Sequence, residues 1–373
     1  MWFGKGKRMK QIHVQRIERV QEEMARAGME QLIVSDPASL WYLTGETLDP
    51  GERLTVLIVD RGGSLRWVKN ALFTLASEDI PVLSFQDGED GIRTVAEDMM
   101  PGVIGVDGSW PSRFLLALQA ACPRTYVNGS GAIDRVRAVK DEEEQRLMRE
   151  SSAVNDRCMA ALARWLHAGV TEAEAADHLR QLYKEEGCED VSFAPIVAFG
   201  PHGADPHHTV SNAVLTEGTV VLLDIGGKKD RYCSDMTRTY FFGDVPDKVR
   251  EIHRIVCEAC EAAEALVRPG VPLAELDRAA RTVIEKAGYG PQFYHRLGHF
   301  IGQTDHEAGE VSASSPLIAE PGMIFSIEPG IYLTGEFGVR IEDLVLVTET
   351  GAERLNHLPH SPYIHDIGGT AHE

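Results

Sequence analysis

Two aspartates on neighbouring apolar segments place the strongest constraint on how this chain can fold. Asp224 follows the run VVLL, which is typical of a buried strand, and Asp235 lies among hydroxyl-bearing residues on the next strand-like segment. A carboxylate on a buried strand is costly unless another group compensates its charge. The fold must therefore supply positive charge where these two side chains meet.

The segment GGKKDR between the aspartates predicts a turn that joins two strands of a hairpin. With Lys229 and Asp230 at the tip, Asp224 and Asp235 face each other directly, and their Cβ atoms are roughly 4.5–5.5 Å apart. Two carboxylates this close repel each other, which raises a pKa unless a cation lies between them. The arrangement favours a pair of divalent metal ions roughly 3.5–4 Å apart.

A second acidic hairpin is predicted further along the chain. Glu328 and Glu342 lie on strand-like runs that flank the turn TGEFG, and their positions are symmetric about Gly335. Between the two hairpins comes His299, which follows Gly298, where a close approach of the backbone to a neighbour is possible. Four carboxylates and one imidazole form an oxygen-rich set of ligands that suits manganese, cobalt, iron or zinc.

Each of these residues also has an ordinary structural interpretation when it is taken alone. A strand aspartate often lies at a turn or in an ion pair, Glu328 precedes a proline and can cap a bend, and Glu342 can pair with Arg340. The combination of two symmetric acidic hairpins with a glycine-flanked histidine between them is harder to explain without a metal, and it favours a metal site.

Composition and charge exclude several classes of function. The net charge of -20 argues against a nucleic-acid binder and against docking on anionic membranes. No apolar run approaches the roughly 18 residues of a membrane span. The first ten residues carry the charge of a secretory leader, but the amphipathic pattern QIHVQRIERVQEEM follows instead of an apolar stretch, so a cytoplasmic location is expected.

The six cysteines do not form a disulfide framework in a chain of this size. Cys257 and Cys260 make a CxxC pair within VREIHRIVCEACEAAEALV, which is a helical pattern. No second cysteine pair accompanies it in the sequence, so we expect both residues to be packed on a helix rather than to bind a metal or to act in redox chemistry.

The pattern of elements predicts two domains. Residues 12–135 alternate helix-like and strand-like segments, which is typical of an α/β domain whose helices cover a small sheet. A long charged helix, DRVRAVKDEEEQRLMRESSAVND, marks the boundary near residue 135. Residues 136–373 mix helices with antiparallel hairpins, which favours an α+β domain.

At the acidic hairpins the chain resembles the pita-bread metallopeptidases of family M24, which include methionine aminopeptidase, aminopeptidase P and prolidase. The strings LLDIGG, YCSDMTRT, GHFIG, FSIEPGIY and GVRIED are similar to its motifs and occur in its order. The resemblance implies a pita-bread (creatinase/aminopeptidase-like) α+β catalytic domain over 136–373. It also implies a smaller creatinase-type α/β N-terminal domain over 12–135, which methionine aminopeptidases generally lack.

The resemblance also assigns roles to individual residues. It implies two divalent metal ions (manganese, cobalt, zinc or iron) with the ligands Asp224, Asp235, His299, Glu328 and Glu342. Glu328 would additionally move the proton of the attacking water to the leaving nitrogen. Three histidines match catalytic positions of the family, namely His207, His295 and His306. His208 is the alternative to its neighbour His207.

Further residues are expected around this centre. Arg340 would hold the carboxylates through hydrogen bonds, and Tyr232 and Tyr332 would line the substrate pocket. Phe300 stands where many relatives carry a glycine, so it would add bulk near the metals and narrow or reshape that pocket.

The activity implied by the resemblance is metal-dependent exopeptidase hydrolysis of Xaa-Pro bonds through a metal-activated water. A prolidase-like dipeptidase is the first expectation, and aminopeptidase P, acting on tripeptides and longer peptides, is the alternative. A hydrolase of small non-peptide compounds on the same scaffold stays open, whereas a mere binding module has no reason to keep the whole ligand set. The expected partners are short proline-containing peptides and a second copy of the chain in a homodimer.

Overall fold

The computed structural model describes residues 11–76 and 79–363 and divides into two compact units, 1–137 and 138–373. The first ten residues, on which the comparison with a secretory leader depends, lie outside the described residues. Within the described ranges, none of the helices combines the length and the apolar character that crossing a bilayer requires.

The first unit is a mixed six-stranded sheet with helices, as the alternating pattern predicts. Its strands have the order β4-β3-β2-β1-β5-β6, with β1 antiparallel to β2 and parallel to β5. The helices are α1 (Gln11–Arg26), α2 (Pro37–Thr44), α3 (Gly91–Glu97), α4 (Ser112–Ala121) and α5 (Ser130–Ala138). The strands are β1 (Gln31–Val34), β2 (Thr55–Asp60), β3 (Leu65–Asn70), β4 (Val82–Phe85), β5 (Val103–Val106) and β6 (Thr125–Asn128).

The second unit combines four long helices with antiparallel sheets, and the α+β prediction is confirmed. The helices are α6 (Glu142–Trp165), α7 (Glu172–Glu185), α8 (Asp247–Glu264) and α9 (Leu273–Lys286), with 3-10 turns at Gly200–Ala204 and Gly290–Gln292. The first strands are β7 (Asp190–Val191), β8 (Ile196–Phe199), β9 (Thr219–Ile225), β10 (Gly227–Lys229), β11 (Tyr232–Cys233) and β12 (Met236–Phe242). The remaining strands are β13 (Gly298–Phe300), β14 (Glu307–Val311), β15 (Ile324–Ile327), β16 (Gly330–Leu333), β17 (Phe337–Arg340), β18 (Asp343–Val347) and β19 (Ala352–Arg354).

The charged segment at the boundary forms two helices instead of the single one predicted. Helix α5 ends at Ala138, and α6 begins with a capping box in which Asp141 accepts from the Glu144 backbone and Glu144 accepts from the Asp141 backbone. A capping box satisfies the first free N–H groups of a helix, so it fixes a helix start inside a continuously charged sequence.

The second unit has two halves of similar construction. In the first half, α6 and α7 pack on the sheet β12-β9-β8 around one hydrophobic core. In the second half, α8 and α9 pack around another core on strands that include β13, β15 and β18. Polar bonds join the halves where β12 meets the second acidic hairpin: the Glu342 N–H donates to the Thr237 carbonyl (3.1 Å) and the Arg340 N–H to Thr239 Oγ1 (3.2 Å). The predicted site residues converge along this seam.

Candidate active site

The first acidic hairpin has its tip one residue later than the sequence predicts. Asp230 and Arg231 form the two-residue turn with φ values of 46° and 70°, the left-handed combination that a type I′ turn requires. Asp224 therefore pairs with Thr237 rather than with Asp235, and the predicted direct opposition is wrong. Because a displacement of two residues keeps a side chain on the same face, Asp235 still lines the same cavity as Asp224.

The second acidic hairpin has the predicted symmetry about Gly335, which lies in the turn with a φ of 78°. Glu328 and Glu342 occupy the gap between two ladders that share this register, so both lie where the strand pairs separate and can turn inward. The pairs that flank them are Leu333 with Phe337, Gly330 with Arg340, and Ile327 with Asp343.

His299 is held on β13 so that one ring nitrogen faces the carboxylates. A Cβ on Gly298 would lie 1.9 Å from the Ser326 carbonyl oxygen, so only glycine permits this approach of β13 to its neighbour. The His299 N–H donates to Ser326 Oγ (3.0 Å), and Nδ1–H donates to its neighbour's carbonyl (3.2 Å). The Nε2 lone pair is therefore directed at the cluster, 3.5 Å from both Asp235 Oδ2 and Glu328 Oε1.

Three buried carboxylate oxygens in this cluster have no hydrogen-bond partner among the described residues. They are Asp224 Oδ1, Asp235 Oδ1 and Glu342 Oε1. Burial raises the pKa of all three carboxyls, and the negative charges of neighbouring carboxylates add to this effect. One ligand atom from each of Asp235, His299 and Glu342 lies within 4.8 Å of the others. These residues fit divalent cations, which would satisfy the unpaired oxygens and remove the repulsion.

Arg340 brings a positive charge of the chain itself to the carboxylate cluster. Its Nη2 donates to Asp224 Oδ2 (2.5 Å), its Nε to Thr237 Oγ1 (3.0 Å) and its Nη1 to Tyr332 Oη (2.8 Å). Thr237 in turn donates to Glu342 Oε2 (2.7 Å). One buried guanidinium thus fixes a carboxylate of each hairpin and leaves the opposite oxygens free for other ligands.

His306 and His295 differ in how many of their ring nitrogens are engaged in hydrogen bonds. The ring of His306 lies against that of His299, with centroids 3.8 Å apart, and partial desolvation together with the neighbouring His299 lowers the pKa of His306. Arg296 Nη2 lies 3.3 Å from His306 Nδ1, which leaves the proton of the neutral ring on Nε2. His295 has both nitrogens engaged, because Nδ1–H donates to the Arg296 carbonyl (2.7 Å) and Nε2 accepts from Tyr332 Oη (2.9 Å).

His207 and His208 both line the cavity, but they differ in their partners. His208 Nε2 lies 2.9 Å from Glu172 Oε2, which commits this ring to a buried carboxylate. His207 is exposed, and its backbone N–H donates to Asp205 Oδ1 (2.9 Å). Its imidazole makes no hydrogen bond to another described residue, so it is the ring that is available to a substrate.

The cavity has a volume of about 720 Å³, which is within the range of small-molecule sites. It holds all five predicted ligands and an apolar wall that includes Phe193, Pro195 and Ile196. The prediction that Tyr232 and Tyr332 line it is wrong. Tyr232 is fully buried and donates to Glu144 Oε1 (3.1 Å), while Tyr332 lies behind Arg340 with its hydroxyl committed to the bonds described above.

The prediction that Phe300 narrows the pocket is also wrong. Side chains alternate along a strand, so His299 faces the cavity while Phe300 is fully buried on the other side and packs on Phe325, with ring centroids 5.7 Å apart. A Cβ on Gly309, in the paired strand, would lie 2.7 Å from the Phe300 ring. The absent side chain at position 309 thus makes room for this phenylalanine.

Cys257 and Cys260 lie on α8 as expected, with Cys260 in the hydrophobic core and Cys257 packed against it. Both thiols are free. Cys260 does approach Glu264, Asp343 and His360 closely enough to form a second group of possible ligands. Two guanidinium groups already compensate Asp343 there, since Arg238 Nη2 and Arg354 Nη1 lie 2.6 Å and 3.6 Å from its carboxylate.

Several residues that line this site are not among those predicted from the sequence. Thr237 lies two residues after Asp235, and the period of two along a strand would have indicated it. Tyr294, Arg296 and Asp305 also line the cavity, and each is a direct sequence neighbour of a predicted histidine, His295 or His306, while Arg180 lies on α7. Adjacency to His295 and His306 could have indicated the first three, whereas only the fold brings Arg180 to this cavity.

Both units of the chain match models of known protein families. The model of metallopeptidase family M24 matches residues 146–349, and that of the creatinase/prolidase N-terminal domain matches residues 16–139. The probable dipeptidase PepE of Mycobacterium tuberculosis is 37% identical over 360 residues, which cover 94% of this chain and 96% of that protein.

Two solved structures share the whole architecture. Dipeptidase PepE from Mycobacterium ulcerans superposes with a TM-score of 0.90 at 36% identity, covering 95% of this chain and 98% of that one. A recombinant prolidase from Thermococcus sibiricus superposes with a TM-score of 0.86 at 33% identity, covering 96% of this chain and all (100%) of the other. The likeness extends over both units, and not over the cluster of carboxylates alone.

We expect Asp235→Asn to abolish both metal binding and turnover, because the amide keeps the shape of the side chain but loses the charge that a divalent ion requires. Metal content of the purified protein and peptide hydrolysis measure the two effects. Asp230→Asn is the matched control, since Asp230 is exposed at the hairpin tip and asparagine tolerates its positive φ. An active Asp235→Asn variant with a full metal complement would contradict the proposed metal site.

We expect Gly298→Ala to weaken metal binding about ten-fold or more, because the new methyl group must push β13 and His299 away from Ser326. The free energy of unfolding should fall by about 1–3 kcal/mol through overpacking. Titration calorimetry with manganese and chemical denaturation measure these changes. Gly351→Ala is the control, because a Cβ there meets no atom within 4 Å; equal effects of the two substitutions would contradict the role given to Gly298.

Proposed function

The chain belongs to metallopeptidase family M24, and from this membership we propose that it hydrolyses Xaa-Pro bonds of short peptides, with dipeptides as the preferred substrates. The observation that carries the proposal is the convergence of four carboxylates and His299 on one cavity beside an apolar wall. The similarity to a prolidase and to proteins named dipeptidase supports the substrate class.

Peptidases of this family use divalent metals, and we propose two ions here, with Asp224, Asp235, His299, Glu328 and Glu342 as their ligands. When bound, such ions polarise the scissile carbonyl and lower the pKa of water. Manganese is our first candidate because most of the ligand atoms are oxygen.

Glu328 is the residue that we propose to move the proton. Its carboxylate lines the cavity, and Oε1 accepts from Ser326 Oγ (3.2 Å), which fixes its orientation. From there it takes the proton of the attacking water and gives it to the proline nitrogen as the bond breaks. His306 donates from Nε2 to the carbonyl oxygen of the scissile bond, while His207 contacts the substrate from the opposite loop.

The preference for dipeptides rests on charge. The C-terminal carboxylate of Xaa-Pro lies about one residue, roughly 3.3–3.6 Å along the chain, beyond the scissile bond. Arg296 lines the cavity beside His306, its side chain is 35% exposed, and its Nη1 lies 3.5 Å from Glu310 Oε2 at the same surface. We propose Arg296 as the cation that binds this carboxylate, because Arg340 is buried and committed to the metal ligands.

The division of labour between the domains is also our proposal. Every proposed catalytic and metal-binding residue lies between positions 207 and 342, which supports 136–373 as the catalytic domain and 12–135 as an accessory one. A cytoplasmic location is supported by the six free cysteines. A homodimer is supported by the family resemblance alone, and sedimentation of the purified protein would measure it.

The first experiment compares Ala-Pro, Ala-Pro-Ala and Ala-Ala with metal-stripped protein, before and after addition of manganese, cobalt or zinc. We expect metal-dependent release from Ala-Pro and little from Ala-Ala. Preferential cleavage of Ala-Pro-Ala would establish aminopeptidase P instead. If metal binds but none of the peptides is cleaved, the substrate class is wrong and a small non-peptide compound becomes the candidate.

The second experiment tests the carboxylate-binding cation. We expect Arg296→Met to raise KM for Ala-Pro by about ten- to hundred-fold, since a charged hydrogen bond contributes about 1.5–3 kcal/mol. For Ala-Pro amide, which lacks the negative charge, the same substitution should raise KM less than three-fold. Arg180→Met is the matched control in the same cavity, because Arg180 also pairs with a carboxylate, that of Asp177 (2.8 Å), as Arg296 pairs with Glu310 (3.5 Å); the charge-dependent loss appearing there instead would transfer the role to Arg180.

A further inference from the structure

A second buried carboxylate, outside the metal cluster, organises one wall of the cavity. Glu172 is the first residue of α7 and is fully buried, yet no step of the proposed chemistry uses it. It accepts five hydrogen bonds, all from the segment 199–211. The donors are Phe199 N (2.8 Å), His202 Nδ1 (2.7 Å), His208 Nε2 (2.9 Å), Ser211 N (2.9 Å) and Ser211 Oγ (2.6 Å).

These donors keep the carboxylate ionised without a metal. Burial alone would raise the pKa of Glu172, but the hydrogen bonds outweigh it, and the pKa lies below its ordinary value. The N-terminus of α7 also favours a negative charge at this position. Both oxygens receive a backbone N–H, so the carboxylate fixes the main chain of the segment at Phe199 and at Ser211.

The same segment carries the residues that face the substrate. Pro206, His207 and His208 line the cavity between the two anchored ends. Backbone hydrogen bonds also run from the start of α7 to this part of the chain: the N–H groups of residues 172 and 173 donate to the carbonyls of residues 213 and 211. The segment and the start of α7 are thus fastened to each other from both sides.

A close backbone contact holds the segment against the second acidic hairpin. A Cβ on Gly338 would lie 1.8 Å from the carbonyl oxygen of Gly203, so glycine is required where β17 meets the 3-10 turn. Gly338 is two residues from Arg340, which binds Asp224. The position of segment 199–211 relative to the carboxylate cluster is therefore set at two places, at Gly338 and at Glu172.

We propose that Glu172 is a positioning residue of the peptidase reaction, which fastens segment 199–211 so that His207 stands over the metal cluster. The proposal rests on the peptidase function proposed above. It assigns His202 and His208 to the support of the loop and leaves His207 alone to meet the substrate.

The test is Glu172→Gln, which keeps the size of the side chain but presents an NH₂ group to N–H donors. We expect kcat/KM for the peptide substrate to fall roughly ten- to hundred-fold, as for a misplaced substrate contact, while manganese stoichiometry stays unchanged. In a double-mutant cycle, adding His207→Ala should cost less than two-fold more, because both changes remove the same interaction. If the losses in kcat/KM of the two single variants multiply in the double variant, Glu172 does not act through His207. If Glu172→Gln loses a bound ion, Glu172 with His202 and His208 is a metal site instead.

Glu174→Gln is the matched control, since Glu174 lies in the same first turn of α7 but is exposed and serves only the capping box with Thr171. Its kcat/KM should equal that of the wild type. Hydrogen exchange gives a readout that does not need activity: the Phe199 and Ser211 amides should exchange faster in Glu172→Gln than in the control. Unchanged exchange there would overturn the proposal, whereas a wild-type protein that cleaves no peptide would overturn only the proposed function.

Discussion

Compensation of buried negative charge is the constraint on which this active site depends. Asp224, Asp235 and Glu342 each bury an oxygen without a partner among the described residues, while the guanidinium of Arg340 bonds to Asp224 and reaches Glu342 only through Thr237. Burial and mutual repulsion raise the pKa of these carboxyls, so the cluster is unfavourable as an array of bare charges. Divalent cations would make the burial of these carboxylates favourable. They would also couple folding around the carboxylates to metal binding.

Elsewhere in the second unit the same problem is solved with hydrogen bonds or with arginine. Glu172 is as deeply buried but receives five donors, and Asp343 is paired by Arg238 and by His360. Buried carboxylates that have such partners need no metal. The contrast distinguishes the candidate metal cluster, since Asp224, Asp235 and Glu342 each keep a buried oxygen that has no hydrogen-bond partner among the described residues.

The geometry of the turns explains why the predicted register is correct for one acidic hairpin and wrong for the other. The hairpin around Gly335 has the predicted register because glycine at the turn fixes the pairing of the strands on both sides. The hairpin between Asp224 and Asp235 was misplaced, since the left-handed pair Asp230 and Arg231 was not evident from a polar GGKKDR turn. Asp235 still lines the same cavity as Asp224, because a displacement of two residues preserves the face of a strand.

The sequence by itself determined which carboxylates and which histidine are candidate ligands and the type of most elements, because these follow from local period, turn residues and motif order. The tertiary structure alone decided the neighbours of each side chain. It buried Tyr232 on Glu144, turned Phe300 into a space left by Gly309, and fastened residues 199–211 to Glu172. Contacts of this kind join residues that are far apart in the chain, and whether two such side chains meet depends on the packing of helices and sheets, which no local pattern encodes.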